Sequence, residues 1–268
     1  MSIASLTMYD LPDVTAATDA WWAGLARAMR REGIEDVPDG LRRDDDVKPT
    51  WRAPDLLFSQ TCGYPLMHEF AGQLRVVATP HFDCPGCEGP RYCSLVIVRA
   101  DDTASALDDL RGRVATANGP DSQSGYSALR GTIAPLARSG RFFSEVVISG
   151  GHANSLALVA EGKADVCAVD CVTHALLSRH RPGAVANLRV LGPSVDAPGL
   201  PYVTRASASD DLLQRLRAAL FAALDDPGLA AVRETLLIAG AEVLPEGAYD
   251  RIIEIENDSK ALGYARLA

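Results

Sequence analysis

In the middle of the chain, short apolar runs alternate with helical segments, and this alternation constrains the fold more than any other feature. The pattern predicts strands at Arg113–Ala117, Glu145–Ser149 and Ala164–Asp170. It predicts helices from Tyr126 onward and over Ala153–Glu161. Because strands and helices alternate, we expect an α/β fold with mainly parallel sheets.

The rest of the chain carries further elements of both kinds. Apolar runs bounded by turn residues predict strands at Ile3–Tyr9, Pro54–Ser59, Leu74–Ala78, Cys93–Arg99, Leu188–Gly192 and Tyr202–Arg205. Helical spacing predicts helices at Val14–Arg31, Leu212–Leu224, Gly228–Ile238 and Tyr249–Asn257. The acidic run Asp44–Asp46 predicts a solvated loop with no function. A chain of 268 residues can form one large domain or two lobes, and length does not choose between them.

Charge and hydropathy exclude several kinds of partner. The formal net charge of -9 and the pI near 5.0 repel nucleic acid and anionic lipid. A small anion stays compatible with this charge, because a pocket can hold it with a few oriented N–H groups. Since no apolar window reaches the roughly 18 to 20 residues of a membrane span, we expect no membrane insertion.

The start of the sequence leaves the compartment open. Residues 1–9 lack a basic region followed by a long apolar stretch, so we expect no export signal within them. If an export signal is missing from the start of this sequence, we expect a periplasmic protein. If the protein has no such signal, we expect a cytoplasmic one.

The strongest local signal is the loop Asn118–Gly125, in which a predicted strand ends in small and hydroxyl-bearing residues just before a helix. Unpaired N–H groups of a first helical turn attract anions, and the hydroxyls of Ser122 and Ser124 can donate as well. The alternative is an ordinary helix N-cap followed by a turn. The loop lacks the Gly-Lys-Ser/Thr ending of a P-loop, which argues against nucleoside triphosphates.

Two further strand ends carry candidate polar residues. His152 follows two glycines in Ser149–His152 and could donate to an anion oxygen, although a structural histidine is the alternative. Asp170 ends a run of apolar residues. It could select protonated or zwitterionic ligands, or it could cap a helix over Thr173–Ser178.

Several segments together resemble a known family, the phosphate, phosphite and phosphonate binding proteins of ABC importers. These segments are Asp55–Leu66, Cys84–Tyr92, Asn118–Gly125 and Gly151–His152, and the string Gln-Thr-Cys-Gly-Tyr-Pro within the first is the most specific. The resemblance implies a two-lobed type II periplasmic-binding-protein fold, in which each lobe is a mainly parallel sheet flanked by helices. It implies a solute-binding protein for ABC import rather than an enzyme, with no cofactor.

The family fold also implies where the chain divides. Residues 1–99 and 200–268 would form the first lobe and residues 100–199 the second, with the ligand cleft between them. The chain would change lobes near Val98–Asp102 and Gly192–Tyr202.

The resemblance further implies the ligand and its contacts. The ligand would be a small oxyanion of the phosphonate, phosphate or phosphite class, and the partner an ABC permease. The second lobe would contribute Ser122, Gln123, Ser124, His152 and Asp170, and the first lobe would contribute Tyr64 and Tyr92. We expect a monomer.

The six cysteines admit several interpretations. Cys84 and Cys87 form the Cys-x-x-Cys half of a zinc site, but Cys62 and Cys93 are not a second such pair, so we expect no metal. Cys62 and Cys87 lie in the two motifs assigned to the first lobe, which would bring them close enough for a disulfide in an oxidising compartment.

The remaining thiols, Cys167 and Cys171, are expected to be buried. The alternative function is an enzyme on a small metabolite. It would use the same fold with Cys62 or Cys171 as nucleophile, or with His152 and Asp170 as base and acid.

Overall fold

The computed structural model describes residues 1–44 and 46–268, so Asp45 of the predicted acidic loop lies outside the described residues. The strands, in chain order, are β1 (Ile3–Ser5), β2 (Leu56–Gln60), β3 (Leu74–Phe82), β4 (Cys87–Glu88), β5 (Arg91–Arg99), β6 (Val114–Ala117), β7 (Glu145–Ile148), β8 (Val166–Asp170), β9 (Leu188–Pro198), β10 (Tyr202–Arg205) and β11 (Ile238–Glu242). The α-helices are α1 (Thr15–Arg31), α2 (Lys48–Trp51), α3 (Gly63–Met67), α4 (Ala128–Ile133), α5 (His152–Ala160), α6 (Cys171–His180), α7 (Asp210–Asp225), α8 (Ala230–Thr235) and α9 (Asp250–Ala261).

The chain divides into two units. Unit 1 contains Met1–Asp83 and Gly199–Pro245, and unit 2 contains Cys84–Pro198 and Glu246–Ala268. These boundaries differ from the predicted lobes, which placed residues 84–99 and 246–268 in the first lobe. The chain passes between units after Asp83, after Pro198 and again after Pro245.

Packing explains why both segments belong to unit 2. Strand β5 pairs with β8 and β9, so the segment from residue 84 is part of the unit 2 sheet. At the other end of the chain, Tyr264 and Leu267 are buried in the unit 2 core. There, the backbone N–H groups of Phe142 and Phe143 both donate to the carbonyl of Ala268.

Unit 1 is built on a sheet with the order β1-β2-β10-β3-β11. Strands β1 and β2 are parallel, whereas the other neighbours in this sheet are antiparallel. Helix α1 follows its predicted range and buries Trp22, whose ring lies 6.3 Å from that of Phe58. Phe58 in turn contacts Tyr202, with ring centroids 5.0 Å apart. An apolar core of aromatic side chains therefore ties β2 and β10 to α1.

Unit 2 is built on a sheet with the order β4-β5-β8-β6-β7, and β9 pairs with β5 beside it. Strand β6 is parallel to β7 on one side and to β8 on the other. The strands β4, β8 and β9 are antiparallel to β5. The apolar core includes Val96, Ala115, Leu129 and Ile133, which are all fully buried.

The structure confirms the α/β class and corrects the character of the sheets. Both sheets are mixed, and the prediction of mainly parallel sheets is wrong outside β1–β2 and the β8-β6-β7 group. The antiparallel pairs join segments that are distant in the chain, such as β5 with β8 and β10 with β2 and β3. The predicted helix Gly228–Ile238 is also too long, because α8 ends at Thr235 and Ile238 begins β11. None of the helices in the described ranges is long and apolar enough to cross a membrane.

Candidate functional site

Three neighbouring parallel strands of unit 2 end at the same edge of its sheet. Strand β6 ends at Ala117, β7 at Ile148 and β8 at Asp170. The backbone N–H of Ser149 donates to the carbonyl of Ala117 at 2.9 Å, and that of Gly150 to the carbonyl of Asn118 at 3.0 Å. Since ligands of open α/β sheets bind beyond the carboxyl ends of the strands, this edge is the candidate site.

The serine loop, residues 118–125, leads from β6 into a helix. A π-helical turn runs over Gln123–Ser127, and α4 continues from it. Ser122 is the N-cap, and its Oγ accepts a hydrogen bond from the backbone N–H of Gly125 at 2.9 Å. The structure therefore shows Ser122 as a helix N-cap, which was the alternative predicted for this loop. Its hydroxyl hydrogen is still available, because the capping bond uses only the oxygen lone pair.

Position 125 requires glycine, because the side chain of Asn118 lies very close to the backbone there. A Cβ at Gly125 would lie 1.8 Å from Oδ1 of Asn118, a distance that no side chain can occupy. The amide of Asn118 therefore packs directly on the backbone of the π-helical turn. Single π-turns of this kind often occur at functional sites.

His152, which follows β7, is in contact with side chains from the ends of β6 and β8. Its Nε2 lies 2.8 Å from Oγ of Ser124, 3.3 Å from Oδ2 of Asp170 and 3.4 Å from Nδ2 of Asn118. We call these four residues the His152 cluster. The sequence predictions for Ser124, His152 and Asp170 thus fall on residues that the fold brings into contact.

Asp170 is buried, with 3% of its surface exposed, and both carboxylate oxygens have partners. Oδ1 accepts a hydrogen bond from the backbone N–H of Thr173 at 2.8 Å. Asp170 therefore caps α6, which is the second of the two roles predicted for it. Oδ2 faces His152. The carboxylate can therefore orient the imidazole, and its charge reaches any anion bound beside that ring.

Burial lowers the pKa of His152, and the negative charge of Asp170 opposes this effect without reversing it. His152 is therefore neutral near pH 7. Because a carboxylate can only accept hydrogen bonds, Asp170 favours the tautomer that carries the proton on Nε2. In that tautomer Nε2 has no lone pair to accept a hydrogen bond, so the hydroxyl of Ser124 keeps its hydrogen for another acceptor.

The other predicted site residues lie in different places. Gln123 is buried at the first position of the π-helical turn. Tyr92 is buried in β5, opposite Cys87 of β4, and so belongs to unit 2 and not to the first lobe as predicted. Tyr64 lies in α3 of unit 1, and its ring stacks on His68 with centroids 4.0 Å apart.

Two residues of the site were not among the predicted ligands. Asn118 contacts both His152 and Gly125. Its position as the first residue after β6 is the signal that could have identified it. Ser94 donates its hydroxyl hydrogen to the carbonyl of Ser124 at 2.9 Å, from inside a strand of apolar residues. A serine within such a strand indicates a specific partner, but the sequence does not say which one.

All six cysteines belong to the described part of the chain, and they are thiols without disulfide bonds. Cys62 belongs to unit 1 and Cys87 to unit 2, so their disulfide stays a prediction. Cys167 and Cys171 are buried, as predicted.

With this geometry established, comparison with protein families identifies the class of the molecule as a solute receptor. The family model described as "ABC transporter, phosphonate, periplasmic substrate-binding protein" matches residues 53–249, well over half of the chain. The chain belongs to this family of phosphonate-binding substrate-binding proteins of ABC transporters. These proteins are transport receptors and not enzymes, so the enzyme alternative is overturned. A search of curated proteins found no match.

Solved structures share the fold at low sequence identity. A binding protein component of an ABC phosphonate transporter from Pseudomonas aeruginosa is 17% identical with a TM-score of 0.76, over 98% of this chain and 87% of that one. PhnD1 from Prochlorococcus marinus, solved in complex with methylphosphonate, is 14% identical with a TM-score of 0.75, over 97% and 98% of the two chains. A Xanthomonas citri protein bound to chloride ion is 16% identical with a TM-score of 0.72, over 98% of both chains. The chain therefore has the type II periplasmic-binding-protein fold that the sequence predicted.

Proposed function

We propose that this solute-binding protein captures a phosphonate-type oxyanion at the carboxyl ends of β6, β7 and β8, through the hydroxyls of Ser122 and Ser124. Membership of the family implies a small ligand and a permease partner. The observation that carries the proposed site is the contact between Ser124 and His152 at 2.8 Å, backed by Asp170. This contact turns a flexible hydroxyl into an oriented donor.

The charges around the site favour a ligand with one net negative charge. In the described part of the chain, none of the hydrogen bonds or ion pairs of Ser122, Ser124, His152 and Asp170 involves Lys or Arg. The donors are neutral, and the one charged group is the Asp170 carboxylate. A phosphonate dianion beside it would be repelled, whereas a protonated phosphonate or a zwitterionic aminophosphonate would not.

A thermal-shift screen tests the class of ligand. Methylphosphonate, an aminophosphonate, phosphate and phosphite are compared with sulfate at equal ionic strength. Ligand at about 100 times its Kd adds roughly 2.7 kcal/mol to the free energy of unfolding, which raises the Tm measurably. A Tm that no phosphorus oxyanion raises above the sulfate control would contradict the proposal.

Titration calorimetry at two pH values tests the charge preference. The affinity for methylphosphonate should fall roughly tenfold as the pH rises through its second ionisation, because the dianion meets Asp170. Asp170→Asn keeps an oxygen that can accept from Thr173 and removes the charge, so its affinity should vary less over the same range. If the wild type and Asp170→Asn show equal pH dependence, Asp170 does not determine which ligand charge the protein prefers.

The tyrosines are tested separately from the serine loop. We propose that Tyr64 and Tyr92 each offer an aromatic face and one hydroxyl to the ligand. Tyr64→Phe and Tyr92→Phe remove only the hydroxyl, so each should weaken binding by no more than about tenfold. Unchanged affinity in either variant would remove that hydroxyl from the set of ligand contacts.

We infer that the chain works in the periplasm, as the family description states for its members. Cell fractionation with an antibody against the protein tests this. Recovery with cytoplasmic proteins alone would contradict it.

A further inference from the structure

Three cysteines of unit 2 come together beside the end of β8. Cys84 and Cys87 flank the turn that leads into β4, and Cys171 is the first residue of α6. Their sulfur atoms all lie within 4.8 Å of one another. Sequence spacing alone could not show this group, because Cys171 is separated from the pair by the greater part of unit 2.

The distances between the sulfur atoms match those of a metal centre. Sγ of Cys87 lies 3.6 Å from Sγ of Cys84 and 3.4 Å from Sγ of Cys171. Two thiolates bound tetrahedrally to one zinc ion at about 2.3 Å are about 3.8 Å apart. Two of the three pairs of sulfur atoms therefore have almost the spacing that one ion would impose, and the third pair lies within 4.8 Å.

The turn between Cys84 and Cys87 is shaped so that both thiols face the helix. Gly86 has φ of +101°, in a region that residues with a side chain rarely adopt. A Cβ at Gly86 would lie 2.8 Å from Cβ of Cys171 and 3.0 Å from Sγ of Cys93. The backbone N–H of Cys87 donates to the carbonyl of Cys84 at 3.1 Å and closes the turn. Only glycine allows the turn to sit this close to α6.

The electrostatic surroundings explain what the group would gain from a cation. Three thiolates cannot share this space without a positive charge, whereas a bound ion compensates them.

We propose that Cys84, Cys87 and Cys171 form a binding site for one thiophilic metal ion of the Zn²⁺ class. Binding breaks three S–H bonds, releases the three protons to the buffer and forms three metal–sulfur bonds. Cys93 lies next to this turn, since a Cβ at Gly86 would be 3.0 Å from its Sγ, but it is not one of the three proposed ligands. The ion would join the β4–β5 hairpin to the start of α6. This proposal does not depend on the proposed anion function.

The test uses the full chain, reduced with a phosphine and stripped of metal, and titrated with Co²⁺ as a spectroscopic substitute for Zn²⁺. The expected result is one Co²⁺ per chain, with sulfur-to-cobalt charge-transfer absorption in the near ultraviolet that Zn²⁺ then removes. Absence of this absorption in the reduced wild-type protein would overturn the proposal.

Variants assign the site to its residues. Cys84→Ser and Cys171→Ser should each weaken the binding of Zn²⁺ at least tenfold, measured by competition with a chromophoric chelator. Cys62→Ser is the matched control, because Cys62 is also partly exposed but lies in unit 1, and its affinity should equal that of the wild type. Circular dichroism confirms that each variant is folded. Equal affinity in Cys171→Ser and the wild type would contradict the assignment.

A redox measurement separates the metal site from a disulfide. The protein is isolated without reductant, and its zinc content and disulfide bonds are determined by elemental analysis and peptide mapping. Zinc with unpaired Cys84, Cys87 and Cys171 supports the proposal. A disulfide from Cys87 to Cys84 or to Cys171, in protein free of zinc, would overturn it.

Discussion

The two units use buried polar side chains in different ways. In unit 1, Gln60 donates to the carbonyl of Leu200 at 3.0 Å, and the hydroxyl of Thr204 donates to that of Leu56 at 3.4 Å. These side chains satisfy backbone carbonyls within their own unit. In unit 2, the polar side chains at the ends of β6, β7 and β8 contact one another around His152. Strand direction explains the difference, because parallel neighbours bring their carboxyl ends to one edge and antiparallel neighbours do not.

Substitution of Gly125 should weaken ligand binding more than the other changes, so it gives the clearest test of the difference between the two units. Gly125→Val places a side chain where Oδ1 of Asn118 lies, which displaces the serine loop. We expect roughly a 100-fold loss of affinity for methylphosphonate, measured by titration calorimetry. Gly183→Ala is the control, because a Cβ at Gly183 meets nothing within 4 Å. Wild-type affinity in Gly125→Val would show that the loop is not part of the site.

A pair of hydroxyl deletions compares the units directly. Ser124→Ala should weaken methylphosphonate binding by roughly tenfold, because it removes the donor that His152 orients. Thr204→Val in unit 1 should leave affinity unchanged and lower the free energy of unfolding by about 1 kcal/mol. Calorimetry measures the affinity of both variants, and urea unfolding measures their free energy of unfolding. The comparison fails if Thr204→Val weakens binding as much as Ser124→Ala.

The N-cap of the π-helical turn should contribute to stability as well as to binding. Ser122→Ala removes the bond from the N–H of Gly125, which should lower the free energy of unfolding by about 1 kcal/mol. Ser122→Asp retains a capping oxygen but adds a negative charge, so it should recover stability and still bind anions poorly. Urea unfolding and calorimetry separate the two effects. If Ser122→Asp binds as well as the wild type, Ser122 is a cap only.

Acid should destabilise the protein partly through His152. Its pKa is lowered in the folded state from the ordinary value of 6.5, so below that pH the unfolded chain binds a proton that the folded chain does not. The free energy of unfolding therefore falls as the pH drops, by at most about 1.4 kcal/mol per pH unit from this one group. Burial lowers the pKa of His174 too, so part of the acid sensitivity should remain in His152→Asn. Urea unfolding at pH 7 and pH 5.5 should show a smaller difference in His152→Asn than in the wild type, and an equal difference would contradict the assignment.

Local patterns in the sequence were enough to predict much of the fold. The helix α1 and the strands β6, β7, β8 and β10 lie within one or two residues of their predicted positions, because apolar periodicity and glycine stops are local signals. The missed strand β11 and the misplaced boundary at residue 84 depend on pairing between distant segments. Tertiary pairing of that kind leaves no mark in the local pattern.

The candidate site was partly predictable for the same reason. Ser124, His152 and Asp170 each follow or end a predicted strand, so the topology of parallel strands placed them together. Asn118 and Ser94 were missed as contacts because their roles depend on side-chain directions within the folded unit. Cys171 was likewise separated in sequence from the thiols that it contacts.

The central claim is that the ligand binds where β6, β7 and β8 end, and a crystal structure with methylphosphonate tests it most directly. The account predicts phosphonate oxygens within hydrogen-bond distance of Oγ of Ser122 and Oγ of Ser124, beside a neutral His152. A phosphonate bound in full occupancy elsewhere, with both hydroxyls uncontacted, would contradict it.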